Sequence, residues 1–552
     1  MPRHNVADYL REHVRDRPET AALMFPAPGY RTSAPTWDTW TFRELDDASD
    51  AYARGFTAQG IRRGDRTVLL LKPSLEFYGV VFALFKLGAV PVLVDPGMGL
   101  KAVLSCIERT QPRAMIAMSL VHAVGTFMRR PFAACEVRIT AGSRWWWGGA
   151  TLAGCRVDGD PVEVARLGPK DDHAIVFTSG STGPAKGVAL KCGMFLAEVE
   201  ALREMLGFEP GMKDVQAFAA FAIFDICLGM TSIIPSMDLS KPATAKPEDI
   251  VAAILANEPE AAFGSPIVWQ NTTRYCIAND IRLPSLVTTM TVGAPIPAYL
   301  HHRFRKILAE GREVFTPYGA TEGLPVSWIG TDEILADTWA KTAKGAGTCV
   351  GRIAPFVDVR IVSITDAPIP TWGDAVELTA GEVGEIVVCG PQISEEYKDA
   401  PEANRAAKIA DGERQWHRMG DLGYRDEQGR LWFCGRKKHR LQTANGMVPA
   451  VPVEGVFNEH ADVFRTALVG VGRSGSEVPV LCVELEPGAA WSQELEGALV
   501  ALGVDTPYAG LVKRFLHNPA FPTDARHNSK IRREDLKPWA ESKCADLIRS
   551  AT

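Results

Sequence analysis

Short apolar runs alternate with helix-length stretches through most of the chain. Thr67-Val-Leu-Leu-Leu71 is apolar on successive positions and short, which predicts a strand buried on both faces. Leu75 to Leu87 is long enough for a helix, and Val90-Pro-Val-Leu-Val94 predicts the next strand. Asp46 to Thr57 places apolar residues on one side only and predicts an amphipathic helix. Alternation of this kind predicts an α/β architecture, with helices layered on sheets.

The rhythm changes in the second half. Between Gly381 and Gly435, glycines separate short β-branched runs such as Gly384-Glu-Ile-Val-Val-Cys-Gly390 and Leu431-Trp-Phe-Cys-Gly435, a pattern of β-hairpins. A basic cluster, Arg436-Lys-Lys-His-Arg440, follows directly. Beyond it lie a strand-like run, Val478 to Leu485, and a helical C-terminus. The 552 residues exceed what one hydrophobic core supports, so the expected organisation is a large N-terminal domain over 1–435 and a small α+β domain over 436–552.

Composition narrows the setting. Sixty basic and 66 acidic residues leave a net charge of −6, which makes no electrostatic case for nucleic acid or an anionic membrane. Eleven cysteines, an odd number with no C-x-x-C pair, read as reduced thiols and not as disulfides or a zinc site. The apolar stretch from Phe77 to Leu87 is broken by Lys86 and too short to span a bilayer. Charged residues near the N-terminus argue against a signal peptide, so a cytoplasmic location is expected.

Three motifs carry the chemistry. In Phe177-Thr-Ser-Gly-Ser-Thr-Gly-Pro-Ala-Lys-Gly187, glycines permit a tight turn, hydroxyls add donors and Lys186 supplies a mobile cation. After a strand-like run, that order suits a polyphosphate, although it is not a G-x-x-x-x-G-K-[ST] loop. In Thr316-Pro-Tyr-Gly-Ala-Thr-Glu-Gly323, Tyr318 can stack on a base and Glu322 is a hard-oxygen ligand for Mg²⁺. Taken alone, the segment is also a plain turn. In Trp416-His-Arg-Met-Gly-Asp421, the carboxylate can accept from both hydroxyls of a ribose, or it can be an ordinary hairpin-turn aspartate.

In this order, the three motifs resemble those of the acyl-adenylate-forming superfamily. Supporting segments are Thr41-Phe-Arg-Glu-Leu45, Leu84 to Pro96, Val292-Gly-Ala-Pro295, Gly381-Glu-Val-Gly-Glu385, Gly435-Arg436 and His527-Asn-Ser-Lys-Ile-Arg532, so the resemblance covers nearly the whole chain. It implies a fold in which the small domain is mobile and closes over an ATP- and acid-binding large domain. It also implies residue roles. Thr178, Ser179, Gly180, Ser181, Thr182, Gly183 and Lys186 hold phosphates, while Glu322 holds Mg²⁺ and Thr321 touches the α-phosphate. Gly293, Ala294, Pro295 and Tyr318 flank the adenine, and Asp421 and Arg436 grip the ribose. Lys530 reaches the reacting groups, and Lys438 falls at the hinge.

Where most members continue with a lysine after the hinge, this chain has Gln442, and prolines stand at 449 and 452. That stretch faces a pantetheine in thioester-forming relatives, so no carrier protein is expected. The pattern instead resembles the β-lactone synthetases of long-chain olefin biosynthesis, which implies a long-chain β-hydroxy acid as substrate and leaves room for assembly with neighbouring pathway enzymes. An acyl-CoA synthetase or fatty-acyl-AMP ligase is the alternative. A non-catalytic AMP- or acyl-binding protein is the remote one, disfavoured by the presence of Lys530 and Glu322. Phe221, Gly264-Ser-Pro266 and the residues before Gly293 are candidates for an acyl-tunnel wall. Asp225 occupies the region of the family's usual histidine with no assigned role, its default being structural, and Trp145-Trp-Trp147 reads as local packing or a contact patch.

Overall fold

A computed structural model describes residues 3–178, 185–294, 296–523 and 531–550. Two large sheets and their covering helices make up the chain as far as Arg436. The first sheet runs Ala150–Thr151, Val137–Ala141, Ala114–Met118, Arg66–Leu70, Val90–Val94, Asp172–Thr178 and Lys186–Lys191 in spatial order, parallel except for the last pair. The second begins at its edge with Trp37–Thr41 antiparallel to Ala21–Pro26, from which a parallel array runs through Ala21–Pro26, Thr231–Ile233, Lys213–Gln216, Ala261–Gly264, Thr288–Thr291 and Glu313–Ala320. It then continues antiparallel through Gly323–Gly330, Thr348–Ile353, Leu431–Arg436, Arg414–Arg425, Gly384–Cys389 and Asp358–Val362.

Local sequence explains the first helices. Phe42–Ala58 starts at a capping box, in which the Glu44 amide donates to Thr41 Oγ1 (3.1 Å) and the Thr41 amide donates to the Glu44 carboxylate (2.8 Å). Ser74 caps Leu75–Leu87 through the Phe77 amide (3.2 Å), and Gly88, left-handed at φ +66°, ends it. The two helices share a buried ionic knot. Lys86 is fully enclosed, with Nζ 2.7 Å from Asp46 Oδ1 and 2.6 Å from Asp50 Oδ1, while Arg11, on the N-terminal helix Ala7–Asp16, pairs with both carboxylates.

From Leu441 onward the chain has apolar clusters of its own. A hairpin (Leu441–Thr443, Gly446–Val448), the helix Ala450–Phe457 and a sheet of Val463–Val471, Val478–Leu485 and Arg514–His517 enclose two apolar clusters. Every member of both lies at or beyond Leu441.

The aromatic triplet divides: Trp147 is buried and donates from Nε1 to Thr140 Oγ1 (2.9 Å), whereas Trp145 and Trp146 are exposed. All eleven cysteines are buried. Among the described residues, no helix is long and apolar enough to cross a membrane.

Candidate active site

The site forms where a third segment ties the two sheets together. Strand Glu313–Ala320 turns back into Gly323–Gly330 through Thr321 and Glu322 alone, so the turn carries both of these candidate residues. Gly319 makes the tight reversal possible, since a Cβ there would lie 2.6 Å from the Gly323 carbonyl oxygen. Residues 393–398 run between this tip and strand Lys186–Lys191. The Ser394 amide donates to the Glu322 carbonyl (2.7 Å), the Ala189 amide to Glu396 (3.2 Å) and the Lys398 amide to Gly187 (2.7 Å). Lys186 and Glu322, 136 residues apart, thereby meet around Tyr397.

Tyr397 is the centre of this group. Its hydroxyl donates to Glu322 Oε1 (2.7 Å), while Lys186 Nζ and Lys408 Nζ lie 4.8 and 5.6 Å from its ring centroid. Burial beside the Glu322 charge raises the Tyr397 phenol, so it remains a donor at neutral pH. Lys408 is buried and donates to the Ser394 carbonyl; burial pulls it down to about 7. Its neighbour across the hairpin, His417, is held far below its ordinary range by burial and by both lysines, and so is neutral.

The second group sits on the adjoining strands. Asp421 is not in a turn: it lies inside the long strand Arg414–Arg425, opposite Arg436, and is buried. Tyr318 donates to Asp421 Oδ2 (2.6 Å), and Arg436 Nη1 lies 2.9 Å from Oδ1. That ion pair lacks hydrogen-bond geometry, so Oδ1 is a buried acceptor without a hydrogen bond. Burial raises Asp421, and Arg436 opposes the rise. Reciprocally, Asp421 holds the guanidinium firmly charged. An orphaned carboxylate oxygen beside a fixed cation fits a ribose hydroxyl.

Several other sequence assignments can be placed. Gly293 and Ala294 follow strand Thr288–Thr291 at the carboxyl edge of the parallel array, with Gly293 at φ +104°. The backbone of Thr178 pairs with Lys186 and closes the base of the glycine–hydroxyl loop. Ser179, Gly180, Ser181, Thr182, Gly183, Pro295 and Lys530 lie outside the described residues. Lys438 stands in a short turn, its Nζ 4.0 Å from Glu534 Oε1. Just before it, Lys437 pairs with buried Glu385 (3.0 Å), which also holds Arg418 (2.6 Å).

Beside the hairpin lies a cavity whose walls include Phe221, Phe263, Val292, Pro317 and Leu324. Phe221 and Val292 are where sequence reading puts a tunnel wall, whereas in the Gly264–Pro266 segment Gly264 abuts the Trp269 indole. Tyr397, Lys408 and His417 have no sequence signal of their own, because strand pairing alone brings them to the site.

The chain belongs to the AMP-binding enzymes, whose family model matches residues 10–398. It is an AMP-forming, acid-activating enzyme that uses ATP. Among its relatives, the olefin beta-lactone synthetase of Xanthomonas campestris pv. campestris is 44% identical over 546 residues, 97% of each chain. That of Stenotrophomonas maltophilia is 45% identical over 549 residues, 98% of each. Among solved structures, an amide bond synthetase from Marinactinospora thermotolerans shares the fold (TM-score 0.77, 21% identity, 97% of this chain and 99% of that one). So does the O-succinylbenzoate coenzyme A synthetase of Bacillus subtilis in complex with ATP and magnesium ion (TM-score 0.74, 21% identity, 96% and 98%).

Proposed function

We infer that this enzyme adenylates a long-chain β-hydroxy acid and closes it to a β-lactone. The observation that carries the reading is end-to-end identity of 44–45% to olefin beta-lactone synthetases, with no large gap in either chain. In the first step, a carboxylate oxygen of the substrate attacks the α-phosphorus and pyrophosphate leaves. In the second, the β-hydroxyl oxygen attacks the acyl carbon, the bond to the phosphate breaks, AMP leaves with the electron pair and the hydroxyl proton is released.

The residue roles are part of the same reading. Asp421 and Arg436 hold the ribose, Tyr318 with Gly293, Ala294 and Pro295 flanks the adenine, and Lys186 with Thr178–Gly183 meets the phosphates. Thr321 and Glu322 are presented together by the hairpin tip, Thr321 toward the α-phosphate. Glu322 is the Mg²⁺ ligand: its Oε1 is oriented by Tyr397, and a hard carboxylate oxygen suits that ion. Mg²⁺ would neutralise and orient the phosphates. Two anions must meet, and Lys186 and Lys408 offset that charge in a partly dry site.

The small domain is taken as 436–552, supported by the two apolar clusters confined to residues from Leu441 onward. It brings Lys530 to the carboxylate, turning at Lys438. Gln442, standing where thioester-forming relatives carry a lysine, supports a reaction without external thiol; its backbone amide donates to Glu477 Oε2 (2.8 Å). We place the enzyme in the cytoplasm, supported by its use of ATP and its unpaired cysteines, with neither nucleic acid nor carrier protein as partner and with neighbouring pathway enzymes as candidates for assembly. The test is product analysis with a long-chain β-hydroxy acid, ATP and Mg²⁺, with and without CoA. A β-lactone and AMP formed equally in both is expected. A CoA thioester, or acyl-AMP that only accumulates, returns the enzyme to the ordinary ligases.

A further inference from the structure

The cavity is apolar except at one place. Around Leu202, Phe208 and Phe224, the polar side chains reaching its surface are Gln216 and Asp225, both buried. Gln216 ends strand Lys213–Gln216 at the carboxyl edge of the parallel array, where ligands of α/β sheets collect. Asp225 lies on the short helix Ala222–Leu228 and accepts from Ser232 Oγ (2.7 Å) and Gln216 Nε2 (3.3 Å). The same amide nitrogen reaches Asp214 Oδ2 (3.2 Å), so a second buried carboxyl stands behind the first.

Two carboxyls so close, with no ion-pair partner among the described residues, are a costly arrangement in an apolar core. Burial drives both upward, Asp225 to about 6 and Asp214 well above the carboxylate range, so the pair retains a proton at neutral pH. If the group served only to tether strand to helix, its acceptors would be filled. They are not: Gln216 Oε1 and Asp214 Oδ1 are buried without a hydrogen bond. A group that donates a hydrogen bond would complete the set.

We propose that Gln216 and Asp225 form a receptor for an alcohol of the substrate, Gln216 Oε1 accepting from the hydroxyl beside the Asp225 carboxyl. The proposal rests on the β-hydroxy acid reading above. The receptor shares its cavity with Val292 and Pro317, which immediately precede Gly293 and Tyr318 of the nucleotide site. The alcohol is therefore received in the same chamber that meets the adenylate. The receptor makes Asp225 and Gln216 determinants of specificity: an acid lacking the hydroxyl leaves buried polar groups unanswered.

The test is acid-dependent ATP–pyrophosphate exchange by the full chain, comparing a long-chain 3-hydroxy acid with its 3-deoxy analogue. Wild type, Asp225→Leu and Gln216→Leu are measured side by side. The wild type is expected to favour the hydroxy acid by at least about 100-fold in kcat/KM, within the roughly 10⁴- to 10⁵-fold that sites built to hydrogen-bond a substrate hydroxyl can reach. At least one variant should reduce that ratio to about tenfold or less while keeping exchange with the deoxy acid, which also shows that it folds. An unchanged ratio in both variants overturns the receptor, as does loss of exchange with both acids in both variants, which assigns the pair to the fold. Stronger wild-type exchange with the matched 3-amino acid overturns it in favour of an ammonium site. Equal wild-type activation of hydroxy and deoxy acids removes the receptor and leaves adenylation standing. Wild-type exchange with neither acid removes the substrate reading, and the receptor with it.

Discussion

Asparagine at position 421 would keep the side-chain shape and remove its charge, which isolates what the carboxylate does. Two groups meet it there, the Tyr318 hydroxyl at 2.6 Å from Oδ2 and Arg436 Nη1 at 2.9 Å from Oδ1, the oxygen that has an ion pair but no hydrogen bond. Tyr318 can still donate to the amide oxygen, so the strand pairing with Arg436 should survive. The ribose loses a charge-assisted acceptor, an interaction of about 1.5–3 kcal/mol, or about 10- to 150-fold in binding. Arg436 is more than a third exposed, so water replaces part of the loss, and a rise of about 10- to 30-fold in KM for ATP is expected. The ribose contact is equal in ground and transition states, so kcat should hold within about threefold. Exchange kinetics over an ATP series read both constants. A KM within about twofold of wild type, or a kcat loss at constant KM, would refute the ribose assignment and the reasoning from the orphaned oxygen.

Other expectations can be checked with the same preparations. Lys530→Ala should leave ATP binding by calorimetry nearly intact and lower adenylation at least about 100-fold; near wild-type rates would remove Lys530 from the chemistry. Tyr397→Phe frees Glu322 Oε1, and the Mg²⁺ concentration for half-maximal exchange should rise about 3- to 10-fold, with an unchanged titration counting against the metal role. Lys86→Met strands Asp46 and Asp50 inside the protein; because Arg11 still pairs with both, the loss should sit near the lower end of the range for broken buried pairs, about 3 kcal/mol by denaturant unfolding. The pH dependence of stability tests Asp225. Its carboxyl is raised from 3.8 to about 6, so between those values the native state keeps a proton that the unfolded chain has shed, and stability falls as pH rises. Asp225→Asn lacks that loss, so its stability relative to wild type should improve from pH 4 to pH 7 by up to about 3 kcal/mol, where a flat difference would mean an ordinary carboxylate.

Sequence reading succeeds where the signal is local. The helix Leu75–Leu87 and the strands Val90–Val94 and Val478–Leu485 stand at the residues the pattern predicts, because period and length are properties of a single segment. The helix drawn over Asp46–Thr57 begins four residues earlier, at the Thr41–Glu44 capping box. Partnerships across the chain are another matter. Lys86 reads as an interruption in an apolar stretch, yet it is among the most deeply buried side chains, since its counter-charges lie 36 and 40 residues upstream. Asp421 can be read as a turn residue because Gly420 and Gly423 flank it; its place opposite Arg436 depends on a strand register that no short window contains. Tyr397 and Lys408 are invisible for the same reason. Asp225 is visible as an oddity, and its meaning waits on Asp214 and Gln216, which adjacent elements supply.

The burial of every cysteine gives this enzyme an internal gauge of its own opening. Burial raises most of these thiols well above the range in which alkylating reagents find a thiolate, Cys482 and Cys434 to about 12 and Cys135 and Cys276 to about 11. A native molecule should therefore react slowly, each site only as fast as its surroundings come apart. Cys482 and Cys544 report on the C-terminal unit, Cys106 and Cys135 on the first sheet, and Cys349 and Cys434 on the antiparallel end of the second. Time-resolved labelling read by peptide mass would rank the stability of these regions without any engineered probe, and added nucleotide would show which of them it locks.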